Sequence, residues 1–132
     1  MSMPNLKRFP VHLGLGATAT REPEFTGGLD WYQAYAERHA GDGAEGRLVS
    51  LHHFSEPWDM WEMHPVGSEL VVCLTGSLRL YQEQVDGSVT GLDLQAGEYA
   101  INPAGIWHTM DVNTEVSVLF ITAGQGTQHR AR

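Results

Sequence analysis

The chain has 132 residues, of which 42% are hydrophobic, and this size suits one domain around a single core. Its formal charge of −8, with lysine and arginine together numbering 8, offers no basic cluster for a phosphate backbone and would be repelled by anionic membranes. We therefore expect neither nucleic acid nor a membrane as a partner.

The sequence also bears on the compartment. Cys73 is the only cysteine, so it cannot form an internal disulfide. The N-terminal segment lacks the apolar run of a signal peptide, and no stretch approaches the roughly 20 apolar residues of a spanning helix. These features predict a cytoplasmic protein.

Residues 1–46 are predicted to form an N-terminal arm and one short helix. Prolines and scattered glycines make residues 1–28 irregular, with a possible short strand at residues 11–15. Asp30 is the candidate helix cap and Gly41 the candidate terminator. Such an arm is either frayed or packed on a partner.

From residue 47 onward, short segments of strand-forming residues alternate with turn signals. The pair Asp86-Gly87 is a hairpin signal. About eight strands predict an all-β sandwich or barrel over residues 47–122, with residues 123–132 as a C-terminal tail. The predicted strands are Leu48–Phe54, Trp58–His64, Glu69–Thr75, Leu78–Val85, Val89–Leu94, Glu98–Asn102, Trp107–Val112 and Val116–Thr122.

Within these strands, four side chains are of the types that bind divalent metals. Glu62 and His64 are two residues apart, so in a strand they share one face. Glu69 and His108 fall on later predicted strands. If all four face the barrel interior, they can approach one ion.

This spacing resembles the two signature motifs of the cupin superfamily. The first motif is His-x-His, three or four residues, Glu, six residues, Gly. It is matched by Glu62, His64, Glu69 and Gly76, with a glutamate where the family has its first histidine. The family also has a glycine six residues before its first histidine, and this chain has Glu56 there.

The second motif is Gly, five residues, Pro-x-Gly, two residues, His, three residues, Asn. It is matched by Gly97, Pro103, Gly105 and His108. Val112 occupies the position where the family has its asparagine. The resemblance spans about residues 47–122. It implies a small single-domain cupin with a double-stranded β-helix, or jelly-roll, barrel.

The expected cofactor is one divalent transition metal ion, namely Fe, Mn, Zn or Ni, held by Glu62, His64, Glu69 and His108. Two carboxylates give the site a hard character that favours Mn, Fe(II) or Zn over Cu. The role of Glu62 stays open between ligand, proton-transfer base and ion-pair partner of an arginine. The alternative for the whole cluster is a set of hydrogen-bonded polar residues with no metal.

Strand alternation extends the prediction to the surroundings of the ligands. It places Trp58, Met60, Cys73 and Met110 on the inward side, so these are the candidate substrate-binding residues for a small-molecule ligand. For Cys73, the favoured interpretation is a small core residue. His52 and His53 are adjacent, so only one of them can line a cavity.

The apolar residues of the opposite faces need cover. We expect a homodimer that hides the outward set, to which the arm at residues 8–16 could add a strand at the partner's sheet edge. The outward set is Trp61, Met63, Leu70, Val72 and Trp107.

The resemblance implies a scaffold rather than a reaction, because cupins include dioxygenases, isomerases, decarboxylases and lyases. The favoured hypothesis is a metal-dependent enzyme that acts on a small organic substrate. The alternatives are a non-catalytic ligand-binding module and a metal-free structural cupin. No role is assigned to His12, His39 or His129.

Overall fold

The computed structural model describes residues 2–132 as two antiparallel β-sheets with one short α-helix. The elements are β1 (Val11–Gly14), a 3-10 turn (Leu15–Ala17), β2 (Thr18–Arg21), α1 (Leu29–Arg38), a second 3-10 segment (Ala40–Glu45), β3 (Arg47–Phe54), β4 (Met60–Met63), β5 (Glu69–Thr75), β6 (Ser77–Glu83), β7 (Val89–Gln95), β8 (Tyr99–Asn102), β9 (Trp107–Val112), β10 (Val116–Thr122) and β11 (Gln128–Ala131).

The six-stranded sheet has the order β2-β1-β3-β10-β5-β8, and the five-stranded sheet has the order β11-β4-β9-β6-β7. Their inner faces pack on one another, and the central strands β5, β6 and β10 alternate between buried and more exposed positions. The predicted all-β jelly roll is thus confirmed. The buried core comprises Val71, Cys73, Leu78, Leu80, Leu94, Ala100, Met110, Val112, Val116, Val118 and Phe120.

Each of the eight predicted strands is present, and three of them have the predicted limits. The segment predicted from Trp58 is shorter, since β4 begins only at Met60. Trp58 instead donates its backbone N–H to the carbonyl oxygen of Met110, at 2.9 Å. The loop before β4 therefore carries Trp58 to the mouth of the sandwich.

Gly76 closes the turn between β5 and β6. Its φ of +76° lies in the left-handed region, and a Cβ at this position would stand 2.1 Å from the carbonyl oxygen of Glu115. Only glycine meets both conditions. The first-motif glycine is therefore explained by backbone geometry.

Two terminal segments differ from the prediction. Residues 11–21 are a hairpin rather than an irregular arm, and β1 pairs with β3 of its own chain, with Val11 opposite Val49. The C-terminal tail also forms a strand, β11, which pairs with β4. The sheets therefore extend beyond residues 47–122 at both ends.

Helix α1 begins two residues earlier than a cap at Asp30 would require. Its N-cap is Gly28, which makes no side-chain cap, and Asp30 lies in the first turn, where its charge favours the helix dipole. The helix ends at Arg38, and Gly41 lies within the following 3-10 segment. No helix among residues 2–132 is long and apolar enough to cross a membrane.

The outward apolar set does not form one face. Trp61, Met63 and Trp107 lie on the five-stranded sheet, where the Arg130 guanidinium covers Trp107 at 4.5 Å and Trp61 at 5.4 Å from the ring centroids. Leu70 and Val72 lie on the outside of the six-stranded sheet. The first group is thus partly covered by the chain's own β11.

Candidate metal centre

Glu62, His64, Glu69 and His108 converge at one end of the sandwich interior. His64 Nε2 lies 3.1 Å from both Glu62 Oε1 and Glu69 Oε2. His108 Nε2 lies 3.2 Å from Glu62 Oε1 and 3.3 Å from Glu69 Oε1. All four side chains thus face the interior, as strand alternation predicted, and lie close together.

The pairing of strands accounts for this convergence. β4 and β9 are neighbours, with Glu62 directly opposite His108. Glu69 begins β5 in the other sheet and stands opposite Asn102 and Thr122 of the flanking strands. The two sheets therefore contribute one carboxylate each to the site.

Glu69 is held rigidly from behind. Asn102 donates its amide N–H to Glu69 Oε1 at 3.0 Å, and Thr122 donates its hydroxyl to Oε2 at 2.6 Å. Gln82 in turn donates to Asn102 Oδ1 at 2.8 Å. Each Glu69 oxygen therefore has one supporting donor and one imidazole nitrogen, as the outer contacts of a metal-binding carboxylate require.

The hydrogen bonds of His64 determine which of its nitrogens carries the proton. Thr127 donates its hydroxyl to the carbonyl oxygen of Gly124, so at 2.8 Å it can only accept from His64 Nδ1–H. In the neutral ring, Nε2 then presents a bare lone pair to two carboxylates. Three lone-pair donors at this separation need a cation between them, either a proton or a metal ion.

The distances between these atoms fit a metal ion. Ligands about 2.1 Å from one ion lie about 3.0 Å apart at a right angle and about 3.4 Å apart at the tetrahedral angle. The four nitrogen–oxygen separations, from 3.1 to 3.3 Å, fall within that range. The donor set of two imidazoles and two carboxylates suits Mn, Fe(II) and Zn.

Without a metal, the carboxylates and imidazoles of this cluster shift one another's pKa values. Burial lowers the pKa of His64, but the hydrogen bonds that Glu62 and Glu69 accept from it outweigh this effect and raise that pKa to about 9. Burial raises the pKa of Glu62, but its contacts with His108, His129 and His64 hold it well below its usual range. In the metal-free protein, these pKa shifts favour a trapped proton at His64 Nε2, where the cation would be.

Glu62 has a partner that sequence reasoning did not identify. His129 Nε2, on β11, lies 3.0 Å from Glu62 Oε2, while Glu62 Oε1 faces His64 and His108. No arginine contacts Glu62 among the described residues. Residues 128–131 are Gln-His-Arg-Ala and show no alternation of apolar and polar residues, so no local signal indicated this strand or placed it beside β4.

Two buried polar atoms beside the site lack a hydrogen-bond partner in residues 2–132, namely His108 Nδ1 and Trp58 Nε1. Their rings are neighbours, with centroids 6.1 Å apart. His108 is therefore held by packing and by the carboxylates at Nε2. It lacks the second-nitrogen hydrogen bond that fixes His64.

A cavity of about 860 Å³ opens onto Glu62, His64 and Glu69. Its far wall is helix α1 with the segment before it, which contribute Phe25, Leu29 and Tyr32 among others. The N-terminal region thus closes the mouth of the chain's own sandwich.

The candidate substrate-binding residues occupy different places. Trp58 lines this cavity, whereas Met60 lines a smaller adjoining pocket. Cys73 and Met110 are fully buried in the core and line neither space. Substrate contact by Cys73 and Met110 therefore does not fit their positions, and the interpretation of Cys73 as a core residue does.

Aromatic side chains form a belt along the cavity from helix α1 to the ligands. Neighbouring centroids are 5.1 to 6.2 Å apart, which is the range of favourable aromatic contacts. His52 rather than His53 belongs to it. The aromatic belt consists of Phe25, Tyr32, His52, Phe54, Trp58 and Phe120.

The two titratable members of the belt are Tyr32 and His52, and their surroundings favour the uncharged forms. Burial raises the pKa of Tyr32 to about 12, and the charges of Glu62 and Glu69 act in the same direction. Burial lowers the pKa of His52, and Glu62 only partly opposes this. The belt thus presents neutral groups to the cavity.

A second polar cluster anchors the helix at the rim of the cavity. His12 Nε2–H donates to Asp42 at 2.6 Å, and Tyr35 donates its hydroxyl to His12 Nδ1 at 2.6 Å. His39 stacks on the His12 ring at 3.6 Å and binds Glu22. Because both His12 nitrogens are occupied, this cluster is a structural network, and sequence reasoning had given its histidines no role.

The sequence matches no protein-family model and no curated protein sequence. Solved structures do resemble the fold. A cupin-2 domain-containing protein from Shewanella frigidimarina has a TM-score of 0.50 at 21% identity, over 58% of this chain and 69% of that one.

Two oxalate-metabolising enzymes superpose over more of the chain. An oxalate oxidase in complex with glycolate has a TM-score of 0.57 at 16% identity, over 73% of this chain and 51% of that one. Oxalate decarboxylase from Bacillus subtilis, which contains Mn(II) centres, has a TM-score of 0.55 at 18% identity, over 73% and 26%. At these identities the likeness concerns the fold.

Proposed function

Because this chain has the cupin fold, we propose that it is a metal-dependent enzyme acting on a small organic substrate in the cavity. Glu62, His64, Glu69 and His108 would hold one divalent ion. The observation that carries this proposal is the arrangement of His64, whose Nδ1 is hydrogen-bonded to Thr127 while its Nε2 faces two carboxylates at 3.1 Å.

When bound, the ion would supply Lewis acidity to a substrate oxygen. The ligand set favours Mn(II), Fe(II) or Zn(II). Mn(II) is the first ion to test, because the fold neighbour from Bacillus subtilis contains it.

The residues around the site divide the remaining work. Asn102 and Thr122 fix Glu69, so this carboxylate serves to bind and orient. Glu62 is 22% exposed toward the cavity, and its second oxygen is held only by His129, whose side chain is 40% exposed. Glu62 therefore combines contact with the ion and transfer of a substrate proton, which His129 can pass to solvent.

Elemental analysis of the purified protein tests the metal site. We expect about one Mn, Fe or Zn per chain, and we expect the His64→Ala and His108→Ala variants to lose it after dialysis. His53→Ala is the matched control, because His53 is an exposed histidine on the outer sheet face. Equal metal content in all four proteins would place the ion elsewhere.

A nuclear magnetic resonance experiment separates an enzyme from a binding module. The metal-loaded protein is incubated in air with a mixture of small oxygen-containing compounds. An enzyme consumes one compound and forms a product, and His64→Ala abolishes this. Broadened ligand signals without any loss of compound would instead support the non-catalytic alternative.

We also propose that the chain forms a homodimer through the outer face of the six-stranded sheet. This face carries the half-buried Leu70, Val72 and Ile121 and the exposed Tyr99 and Ile101. A contiguous apolar sheet face of this kind is normally covered by another surface. A second copy would cover it symmetrically, because an isologous interface uses the same patch twice.

A further inference from the structure

The cavity above the candidate metal centre is selective in both shape and charge. Its walls carry the aromatic belt, and its lining includes the acidic Asp59, Glu62 and Glu69. No lysine or arginine lines it in the part of the chain that the structure describes. A ligand there meets flat apolar rings and negative charge.

We propose that the substrate is an uncharged aromatic alcohol of the phenol class, whose ring lies against the aromatic belt and whose oxygen faces the candidate metal centre. This inference rests on the proposed function, since it assigns a substrate class to the same site. It depends on residues from both ends of the fold, because Phe25 and Tyr32 precede the barrel and Phe120 lies on β10.

The ring requirement follows from the belt's continuity. Phe25 contacts both Tyr32, at 5.6 Å, and His52, at 5.1 Å between centroids. Trp58 continues the belt to within 6.1 Å of the His108 ring. A planar ligand can stack along this path and gain edge-to-face or offset contacts that a saturated ring cannot make.

The charge requirement follows from the lining. A carboxylate or dicarboxylate would need a cationic partner once it is desolvated. Apart from the ion, the cavity histidines that could serve beside the site are His64 and His129, and both already face Glu62, at 3.1 and 3.0 Å. Two glutamates already offset the charge of the ion. A phenol needs only its hydroxyl oxygen near the ion, while its apolar ring is desolvated at little cost.

The volume allows a ligand of one or two rings. About 860 Å³ lies within the usual range of small-molecule sites. Tyr32 stands on the helix side of this space. Its hydroxyl stays protonated and so can donate to a ligand oxygen.

Equilibrium binding to the Mn(II)-loaded protein tests the inference. The probes are 2-naphthol, its saturated analogue decahydro-2-naphthol, and oxalate. We expect 2-naphthol to bind about tenfold more tightly than the other two. Equal affinity for the two naphthol skeletons, or tighter binding of oxalate, would overturn the assignment.

Substitutions test whether the aromatic belt causes the preference for 2-naphthol. Tyr32→Leu should weaken 2-naphthol binding about threefold to tenfold without changing metal content. Tyr99→Leu is the matched control, because Tyr99 is an exposed tyrosine on the outer sheet face, and it should change neither quantity. Unchanged 2-naphthol affinity in Tyr32→Leu would contradict the belt's role.

The metal-free protein keeps this test separate from the proposed function. The belt does not include the ion, so 2-naphthol should still bind more tightly than decahydro-2-naphthol after chelation, although both bind more weakly. If the protein takes up no metal yet keeps this preference, the proposed function fails and the ligand class stands. If the preference appears in neither form, the ligand class fails.

Discussion

Glu62 and Glu69 are carboxylates of one site, but their surroundings give them different roles. Glu69 is 3% exposed and is fixed by Asn102 and Thr122. Glu62 is half-buried and has one support, His129. A buried carboxylate with two donors resists movement, whereas a half-buried one can change its partner.

Substitution of Glu62 distinguishes its roles. Glu62→Gln keeps the shape but removes the charge, so we expect metal affinity to fall about tenfold to a hundredfold. Glu62→His should still bind metal, with a preference shifted toward softer ions. Isothermal titration with Mn(II) and Zn(II) measures both effects. Unchanged affinity in Glu62→Gln at every pH would mean that Glu62 is not a ligand.

The trapped proton predicts a pH dependence for the metal-free protein. The pKa of His64 is raised from 6.5 to about 9, so its stabilising charge is fully present below pH 6.5 and is lost as the pH rises through 9. The pKa of His129 is raised by Glu62 and acts in the same direction. His52, whose pKa is lowered, affects stability only at lower pH.

Urea unfolding of the chelated protein should therefore show a free energy of unfolding that falls between pH 6.5 and 9, by an amount on the order of 1 to 3 kcal/mol. Metal-loaded protein should lack this fall, because the ion replaces the proton. His53→Gln, changed at an exposed histidine, should keep the parent profile. A flat profile for the chelated parent would refute the trapped proton.

At the level of elements, helix α1 depends on contacts made by side chains rather than on a cap. Tyr35 binds His12, and Trp31 donates its indole N–H to the carbonyl oxygen of Pro23 at 3.2 Å. Arg38 and His39 both bind the buried Glu22. These bonds join the helix to the β1–β2 hairpin and the segment after it. The stability of α1 as a cavity wall therefore depends on this hydrogen-bond network.

Tyr35→Phe tests that wall. It leaves the buried His12 Nδ1 without its donor, so we expect a loss of about 1–2 kcal/mol in the free energy of unfolding. Hydrogen exchange should quicken in α1 while the core strands keep their protection. Tyr81→Phe removes a comparable bond, to Asp111, far from the helix and should leave α1 protection unchanged. Equal effects of both variants on α1 would refute the anchoring role.

At the level of the whole molecule, the two outer sheet faces differ. The five-stranded sheet partly covers its tryptophans with Arg130, whereas the six-stranded sheet leaves Tyr99 and Ile101 exposed at its β8 edge. Apolar area of this kind costs free energy in water unless a second surface covers it. The difference indicates which face a second copy would use.

Light scattering tests the homodimer. We expect twice the chain mass for the parent at micromolar concentration and a monomer for Ile101→Lys, since a lysine there would be buried without a partner. Ile101 is 53% exposed in the single chain, so the variant should still fold. Val85→Lys, at a 97% exposed turn position, is the matched control and should stay dimeric. A monomeric parent would exclude the interface.

Local rules were sufficient for the strands and for the approach of the four ligand-type residues. Alternation along a strand decides which side chains share a face, and it needs only neighbouring residues to operate. The turn signals at Gly76 and at Asp86-Gly87 likewise depend on backbone conformations that few residues adopt. The sequence by itself therefore determined the β-strands and the approach of Glu62, His64, Glu69 and His108, while the jelly-roll arrangement of those strands was implied by the resemblance to the cupin motifs.

Only the tertiary structure decided which distant segments complete the site. His129 lies 67 residues from Glu62, and Thr122 lies 53 residues from Glu69. The tail becomes a strand because it pairs with the otherwise unpaired edge of β4. The N-terminal segment becomes a cavity wall because β1 pairs with the edge of β3. Edge pairing is satisfied by any chain with free backbone N–H and C=O groups, so no local residue pattern specifies the partner.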